Sequence, residues 1–241
     1  MEQPLFKIKQ EKKAKNYASF VISPLQSGYG LTLGNSLRRV LLSSLAGAGI
    51  TKVRIRGVRH QFSTLKGMKE DIVEFLLNLK KIRVLYQGDK PTKISLSVKG
   101  AGEVKAGDIK TPATVKIVNP KIVLANLGKG SKLEAEMTVE SGTGYSPAEE
   151  RGSRKIGVIP LDVVFSPVNA LKKVATSHIT GRLTNYDKLI LNIWTDGTIT
   201  PKESLVQAAK IFLPYLEQII SPKRAKKKKI VKAKDSLGPV G

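Results

Sequence analysis

Chemistry needs titratable or nucleophilic side chains at set spacings, and this sequence offers few. Its two histidines, His60 and His178, stand far apart without a spaced third ligand, so neither a triad nor a metal site is spelled out. There is no cysteine, which removes thiolate nucleophiles, thiolate metal sites and disulfides together. Short acidic fragments such as Ala148-Glu149-Glu150 lack the spacing of a calcium loop. Ser43-Ser44 lies in a leucine-rich run without a G-x-S-x-G elbow. One stretch, GYGLTLGNSLRRVLLSSL (28–45), does place glycines before an apolar run, as a phosphate-cradling loop would. A dinucleotide fingerprint needs G-x-G-x-x-G and an acid about 20 residues later. Gly28, Gly30 and Gly34 are one residue too widely spaced, and ITKVRIRGVRH (50–60) holds no acid. No Gly-Lys-Ser/Thr marks a P-loop either. Catalytic, cofactor-binding and metal-ligating residues are therefore not expected.

The same stretch reads better as a helix over 33–46. At about 100° per residue, Leu33, Leu37, Val40, Leu41, Ser44 and Leu45 share one face, an ordinary core stripe. Arg39 lies nearly opposite, and Leu42 about 60° from Arg39 by the same geometry. Two readings stand: a solvated arginine beside a stray surface leucine, or a second interface. In the latter, Leu42 supplies apolar area and Arg39 a forked donor for a partner's carboxylate.

Elements of both kinds must position these residues. Strict alternation predicts strands at 52–56, 93–99 and 132–139, and KLILNIWTDGTI reads as a hairpin turning at Asp196-Gly197. A second helix is predicted over 67–81, with Met68, Ile72, Phe75, Leu76 and Leu79 as its stripe. A third is predicted over 201–221, started by Pro201 and kinked at Pro214. The middle, roughly 87–160, reads as short strands and loops.

At 241 residues the chain can bury roughly three-quarters of its unfolded surface. No apolar run reaches membrane-spanning length, and the first twenty residues lack a signal peptide's apolar core, so a soluble intracellular protein is expected. The formal net charge is +23, which attracts polyanions. The segment SPKRAKKKKIVKAKD (221–235) contributes +7 through eight Lys/Arg and one Asp, as a charge run with the composition of disorder. The remaining +16 is dispersed and marks no particular groove.

With these motifs in hand, the chain resembles the alpha-subunit family of bacterial-type DNA-directed RNA polymerase. GYGLTLGNSLRRVLLSSL resembles that family's signature helix. VRHQFSTLKGMKEDIVEFLLNLKKI, GTGYSPAEE, IGVIPLDVVFSPV and NYDKLILNIWTDGTITPKESLVQAAKIF follow in family order. The resemblance implies an α+β fold in which a discontinuous dimerisation domain, 1–46 and 168–221, carries an inserted mostly β domain, 47–167. A basic tail, 222–241, follows. It implies a non-catalytic scaffold that homodimerises and then recruits the beta and beta-prime subunits, without cofactor, membrane or small-molecule substrate. The expected location is a bacterial cytoplasm or a plastid stroma.

By the same resemblance, Arg39, Leu42, Lys80 and Leu161 would touch the large subunits. Tyr29, Leu33, Phe212, Leu216, Ile219 and Ile220 would form the dimer contact. The plain alternatives are a solvated lysine, a core strand residue and burial inside one subunit. One departure concerns ITGRLTNYDKL (179–189), where the family usually has RVGQRTDYDKL: Ile179 and Leu183 replace two arginines, and Arg182 comes one position early. A further departure is that family members usually continue into a helical C-terminal domain. A rival reading is a stand-alone basic nucleic-acid-binding protein, supported by charge but lacking aromatics interleaved with its Lys/Arg.

Two readings of the tail stand: a solubilising, disordered terminus, or a segment that contacts DNA phosphates without sequence preference. If about five of its lysines do so, deleting 222–241 should flatten the log-affinity against log-salt slope of the assembled polymerase by about 4 to 5. A slope that stays the same rejects that role.

Overall fold

The computed structural model describes residues 5–151, 156–180 and 183–222, and omits the side chains of 177–185. The lysine-rich tail from residue 223 onward lies outside the described residues, as do Gly181 and Arg182 and the side chains of Ile179 and Leu183. In chain order the first elements are β1 (Lys7–Ala14), β2 (Tyr17–Gln26), α1 (Tyr29–Ser43), β3 (Ala46–Ile55) and α2 (Ile72–Lys80). Next come β4 (Val84–Tyr86), β5 (Thr92–Lys99), β6 (Gly102–Lys105), β7 (Ile109–Lys110), β8 (Val115–Ile117) and β9 (Val123–Leu127). The last are β10 (Lys132–Thr143), β11 (Tyr145–Ser146), β12 (Val158–Pro160), β13 (Val163–Val164), β14 (Val168–Thr180), β15 (Leu183–Thr195) and α3 (Pro201–Ile220).

The result is an α+β fold with two hydrophobic cores. One is built from both ends of the described chain: an antiparallel sheet of order β1-β2-β15-β14 with α1 and α3 against it. Leu41 and Leu45 close over Leu189, Leu191 and Ile193, all fully buried. Each such side chain is worth about 1.5–3 kcal/mol relative to exposure. The other core lies within residues 50–161, under a sheet of order β12-β3-β10-β5-β7. The predicted alternation is visible there: Leu133, Ala135, Met137 and Val139 of β10 are buried, as are Ile94 and Leu96 of β5. Their neighbours point outward, because strand side chains alternate between faces. Ile72, Phe75, Leu76 and Leu79 of α2 cover the inner face.

Several boundaries differ from the sequence reading, among them the end of α1 at Ser43 and the start of β3 at Ala46. Helix α1 begins at Tyr29, four residues early, because Gly28 at its N-cap takes a left-handed φ of 85° and turns the chain into the helix. Helix α2 begins only at Ile72: Asp71 caps it by accepting from the Glu74 N–H at 2.7 Å, and Gly67 is held at φ 81°. Met68 precedes the helix, bridges Leu127 and still packs on the core. The predicted hairpin at Asp196-Gly197 is a turn without a second strand. There Asp196 Oδ1 accepts from the Thr198 N–H (2.9 Å) and hydroxyl (2.6 Å), and the chain enters α3. A reciprocal capping box between Thr200 and Glu203, with Pro201 in the first turn, makes helix the better continuation. The helix continues through Pro214, which cannot donate to the carbonyl four residues back.

The cores meet at a seam with no room for side chains. Gly47 of β3 pairs with Gly142 of β10, and Phe165 crosses there. A Cβ on Gly47 would lie 1.8 Å from the Phe165 carbonyl oxygen; one on Gly142 would lie 2.7 Å from its ring. Gly47→Ala should therefore force the backbone apart and cost about 3 kcal/mol or more. For a chain of this size that is a fall in Tm on the order of 6–12 °C. Gly128→Ala, whose nearest non-neighbour atom is 3.5 Å away, is the matched control, and its change should stay within about 0.5 kcal/mol. Thermal denaturation followed by circular dichroism compares the two.

Candidate functional site

Helix α1 sits directly on the β14–β15 hairpin because Gly30 and Gly34 face it one turn apart. A Cβ on Gly30 would be 2.9 Å from Asp187 Cβ, and one on Gly34 would be 2.8 Å from Lys173 Cδ and 2.9 Å from Leu189 Cδ1. The Gly30 N–H, a free donor in the first turn, donates to Asp187 Oδ2 at 3.0 Å. The glycines that mimic a nucleotide loop are thus packing glycines.

The seated helix turns Arg39 outward: its side chain is exposed and makes no ion pair among the described residues. Leu42 does not match its predicted outward position. It is half-buried and packs against the core that contains Leu41 and Leu45. Helix α3 lies against α1 and contributes Leu205 and Ala208 to the cluster on which Leu42 packs, so the covered arc extends beyond a single core stripe. Leu42 therefore offers only an edge beside Arg39.

The outer half of α3 carries a different surface. Leu213, Tyr215, Leu216, Ile219 and Ile220 are all exposed, the last two at 77% and 80%. Phe212, Leu216, Ile219 and Ile220 follow i, i+4, i+7, i+8 spacing and share one face. Phe212 is half-buried. Tyr29 and Leu31, at the start of α1, are exposed as well. Leu33 is half-buried against its own core, so it underlies the surface more than it forms it. Apolar exposure concentrated this way exceeds the scattered single residues of an ordinary surface. Leu31, Leu213 and Tyr215 escaped the sequence reading: the last two lie within the predicted 201–221 helix, whereas Leu31 precedes the predicted start of the first helix at 33.

On the inserted domain, Lys80 Nζ donates to Asp162 Oδ2 at 2.8 Å, with both side chains about one-third to two-fifths exposed. Asp162 Oδ1 accepts from the Ala148 N–H, also at 2.8 Å. The Lys80 ammonium, then this backbone donor, hold the Asp162 carboxyl below its ordinary pKa. Arg151 pins the same loop: its guanidinium donates to the Leu161 carbonyl (2.7 Å) and the Ser146 carbonyl (2.8 Å) and lies over the Phe165 ring. Leu161 itself is 3% exposed and belongs to the inserted core. Its side chain backs this surface from within and is not free to contact a partner. The reason is alternation: Asp162 takes the outward position that its neighbour leaves.

Beside Lys80 and Asp162 opens a cleft of about 250 Å³ that also includes Arg83, Tyr145 and Val164. Tyr145 and Val164 are cross-strand partners, 63% and 52% exposed, and neither was singled out from sequence. Gly144, at φ 65°, runs close enough to the end of α1 that a Cβ there would sit 3.3 Å from the Ser43 carbonyl oxygen. The Ser43 hydroxyl in turn donates to the Arg39 carbonyl at 2.7 Å. The C-terminal end of α1 and the Lys80 cleft are therefore neighbours, although they belong to different cores.

Among the described residues no group of three or more His, Asp or Glu is placed to hold a metal ion. His60 is exposed, with its ring 3.2 Å from the Ser63 hydroxyl. The His178 side chain lies outside the described residues.

Comparison with known proteins gives these surfaces a family. Residues 53–166 match the RNA polymerase Rpb3/RpoA insert domain. The chain is 47% identical over 223 residues to the DNA-directed RNA polymerase subunit alpha of Symbiobacterium thermophilum, covering 92% of this chain and 71% of that one. It is 48% identical to the same subunit of Roseiflexus castenholzii, covering 88% of this chain and 66% of the relative. With that of Carboxydothermus hydrogenoformans it shares 44% identity, covering 92% and 71%. The chain thus spans about two-thirds to seven-tenths of the length of these relatives, and it belongs to the family of DNA-directed RNA polymerase alpha subunits.

Proposed function

We propose that this chain is the non-catalytic scaffold of a DNA-directed RNA polymerase, pairing with a second copy of itself and then capturing the beta and beta-prime subunits. The observation that carries the reading is the outer half of α3: five large apolar side chains stand exposed on a helix whose inner half is packed in the core. A second copy is the occupant that fits such a face, because a two-fold interface lets one apolar patch cover its twin. Tyr29 and Leu31 would extend it, with Phe212 at its margin.

The polar surface suits a partner of another kind. Arg39 offers a fork of donors beside the Leu42 edge, and the Lys80–Asp162 pair adds both charges beside Tyr145 and Val164. These residues, drawn from both cores, would be the contact for the large subunits. Residues 47–167 would act as the inserted domain that carries half of it.

Two experiments separate the surfaces. Ile219→Glu together with Ile220→Glu should weaken self-association by about 100-fold or more, given about 1.5–3 kcal/mol for each buried isoleucine. Sedimentation equilibrium should then report the 26.2 kDa monomer, whereas the parent chain stays a dimer in high salt without nucleic acid. A parent chain that is itself monomeric sinks the scaffold reading. Arg39→Ala should leave that dimer intact and lower capture of the beta subunit at least about tenfold, the scale for truncating a charged hydrogen-bonding partner at an interface. Loss of the dimer in this variant would show that the face of α1 had been misassigned.

A further inference from the structure

The outer face of the inserted domain's large sheet is not used by either surface above. Its side chains alternate with the buried residues of β3, β5 and β10, so they point away from α2 and from Lys80. Strand register fixes what stands there. One row runs Arg54, Glu136, Ser95, Lys110, and the next Lys52, Thr138, Lys93. On the other side come Glu134 with Ser97, then Lys132 with Lys99; Arg56 reaches back to Glu134. This face therefore carries seven cationic side chains and two carboxylates, a net charge of +5.

An outward strand face is normally charged, so the sign and the pairing decide whether this one matters. Both carboxylates are already engaged. Glu134 is held by Arg56 at 2.8 Å and by Lys132, and Glu136 by Lys93 at 2.8 Å. Lys52, Arg54, Lys99 and Lys110 make no ion pair among the described residues. The surface also holds a depression of about 600 Å³, lined by Arg54, Arg56 and Arg59 on one side, Ser95 and Ser97 on the other, and Glu134 and Glu136 between them. The two glutamates are met by Arg56, Lys132 and Lys93, so the unpaired Arg54 is left to meet an anion there.

We propose that this face is a sequence-independent docking site for the phosphate backbone of duplex DNA. The choice of DNA over another duplex rests on the polymerase reading; the choice of a duplex phosphate backbone rests on the face itself. No aromatic ring lines the depression, so single-stranded bases have nothing on which to stack. A five-stranded sheet is too broad to enter a groove and read base edges, which leaves phosphate contacts without sequence preference. The cations of β3 and Lys110 of β7 are three strand spacings apart, roughly 14 Å. That is close to the width of about 12 Å between the phosphate ridges of a major groove.

The test uses the full chain and a fluorescent duplex of random sequence, titrated by anisotropy over a range of salt. Replacing Lys52, Arg54, Lys99 and Lys110 together by Gln should lower the slope of log affinity against log salt by about 3 to 4. Dimer mass and melting temperature should stay unchanged. The same drop should appear when Lys226, Lys227, Lys228 and Lys229 are also Gln, which separates this face from the tail. Should the fourfold variant fold poorly, Arg54→Gln with Lys99→Gln should lower the slope by about 2. An unchanged slope in a folded variant overturns the proposal. So does a variant that loses binding to polyglutamate or to single-stranded DNA while keeping the duplex, since the face would then serve an acidic polypeptide or unpaired strands. A parent chain that binds duplex through this face but fails to dimerise would sink the scaffold reading and leave this one standing.

Discussion

Helix α1 lies against β14 and β15 at a distance that only two glycine positions allow. Gly30 and Gly34 bring the helix backbone to the hairpin, where Asp187 accepts a first-turn N–H that would otherwise lack a partner. This seating sets the rotation of α1 about its axis. With the glycine side fixed to the sheet, Leu41 and Leu45 point into the core, and Arg39 is left on the outside. A methyl group at either position would lift the helix off the sheet or rotate it. The burial of five leucine and isoleucine side chains and the direction of Arg39 would then fail together.

The seam carries the same logic between the two cores. Gly47 and Gly142 face each other across the ladder so that Phe165 can cross, and Gly49 admits Val163 in the same manner. Val163 and Phe165 are buried although they belong to neither core cluster. Their apolar area fills the join and ties the inserted sheet to the helix-bearing sheet. A surface that draws on both cores, with the end of α1 on one side and the Lys80 cleft on the other, depends on this join being close-packed. Packed interiors deform little, which suits a contact made of groups from two lobes.

Much of this was legible in sequence wherever the signal was local. Alternation in β5 and β10 showed which residues are buried, and the Pro201 start of α3 agrees with its capping box. The glycines before the leucine run were excluded from nucleotide chemistry by their spacing, but their real role could not be read. It depends on Asp187, Lys173 and Leu189, more than a hundred residues away. The same distance explains Leu42, whose outward position on an isolated helical wheel disappears once α3 covers that arc. Asp196-Gly197 gave a correct turn with the wrong sequel, because turn chemistry is local while the choice between strand and helix fell to Thr200 and Glu203. Tyr145 and Val164 were missed because a two-residue ribbon has no period to detect.

The polar surface also separates interactions that hold structure from groups that structure does not need. A half-exposed ion pair such as Lys80–Asp162 contributes about 0–1 kcal/mol to folding. The loop it joins is fixed by stronger means: the Ala148 N–H on the other Asp162 oxygen, and Arg151 bonded to two carbonyls. Removing the lysine would leave Asp162 anchored, so the pair is not what keeps the loop in place. What Lys80 adds is an oriented ammonium at the rim of a mixed polar and apolar cleft, next to an exposed tyrosine. Asp162, held by groups behind it, serves as the stop that keeps the lysine there. A cation restrained in this way loses less side-chain freedom on meeting a partner than a free surface lysine would, which favours association over stability as the reason for its position.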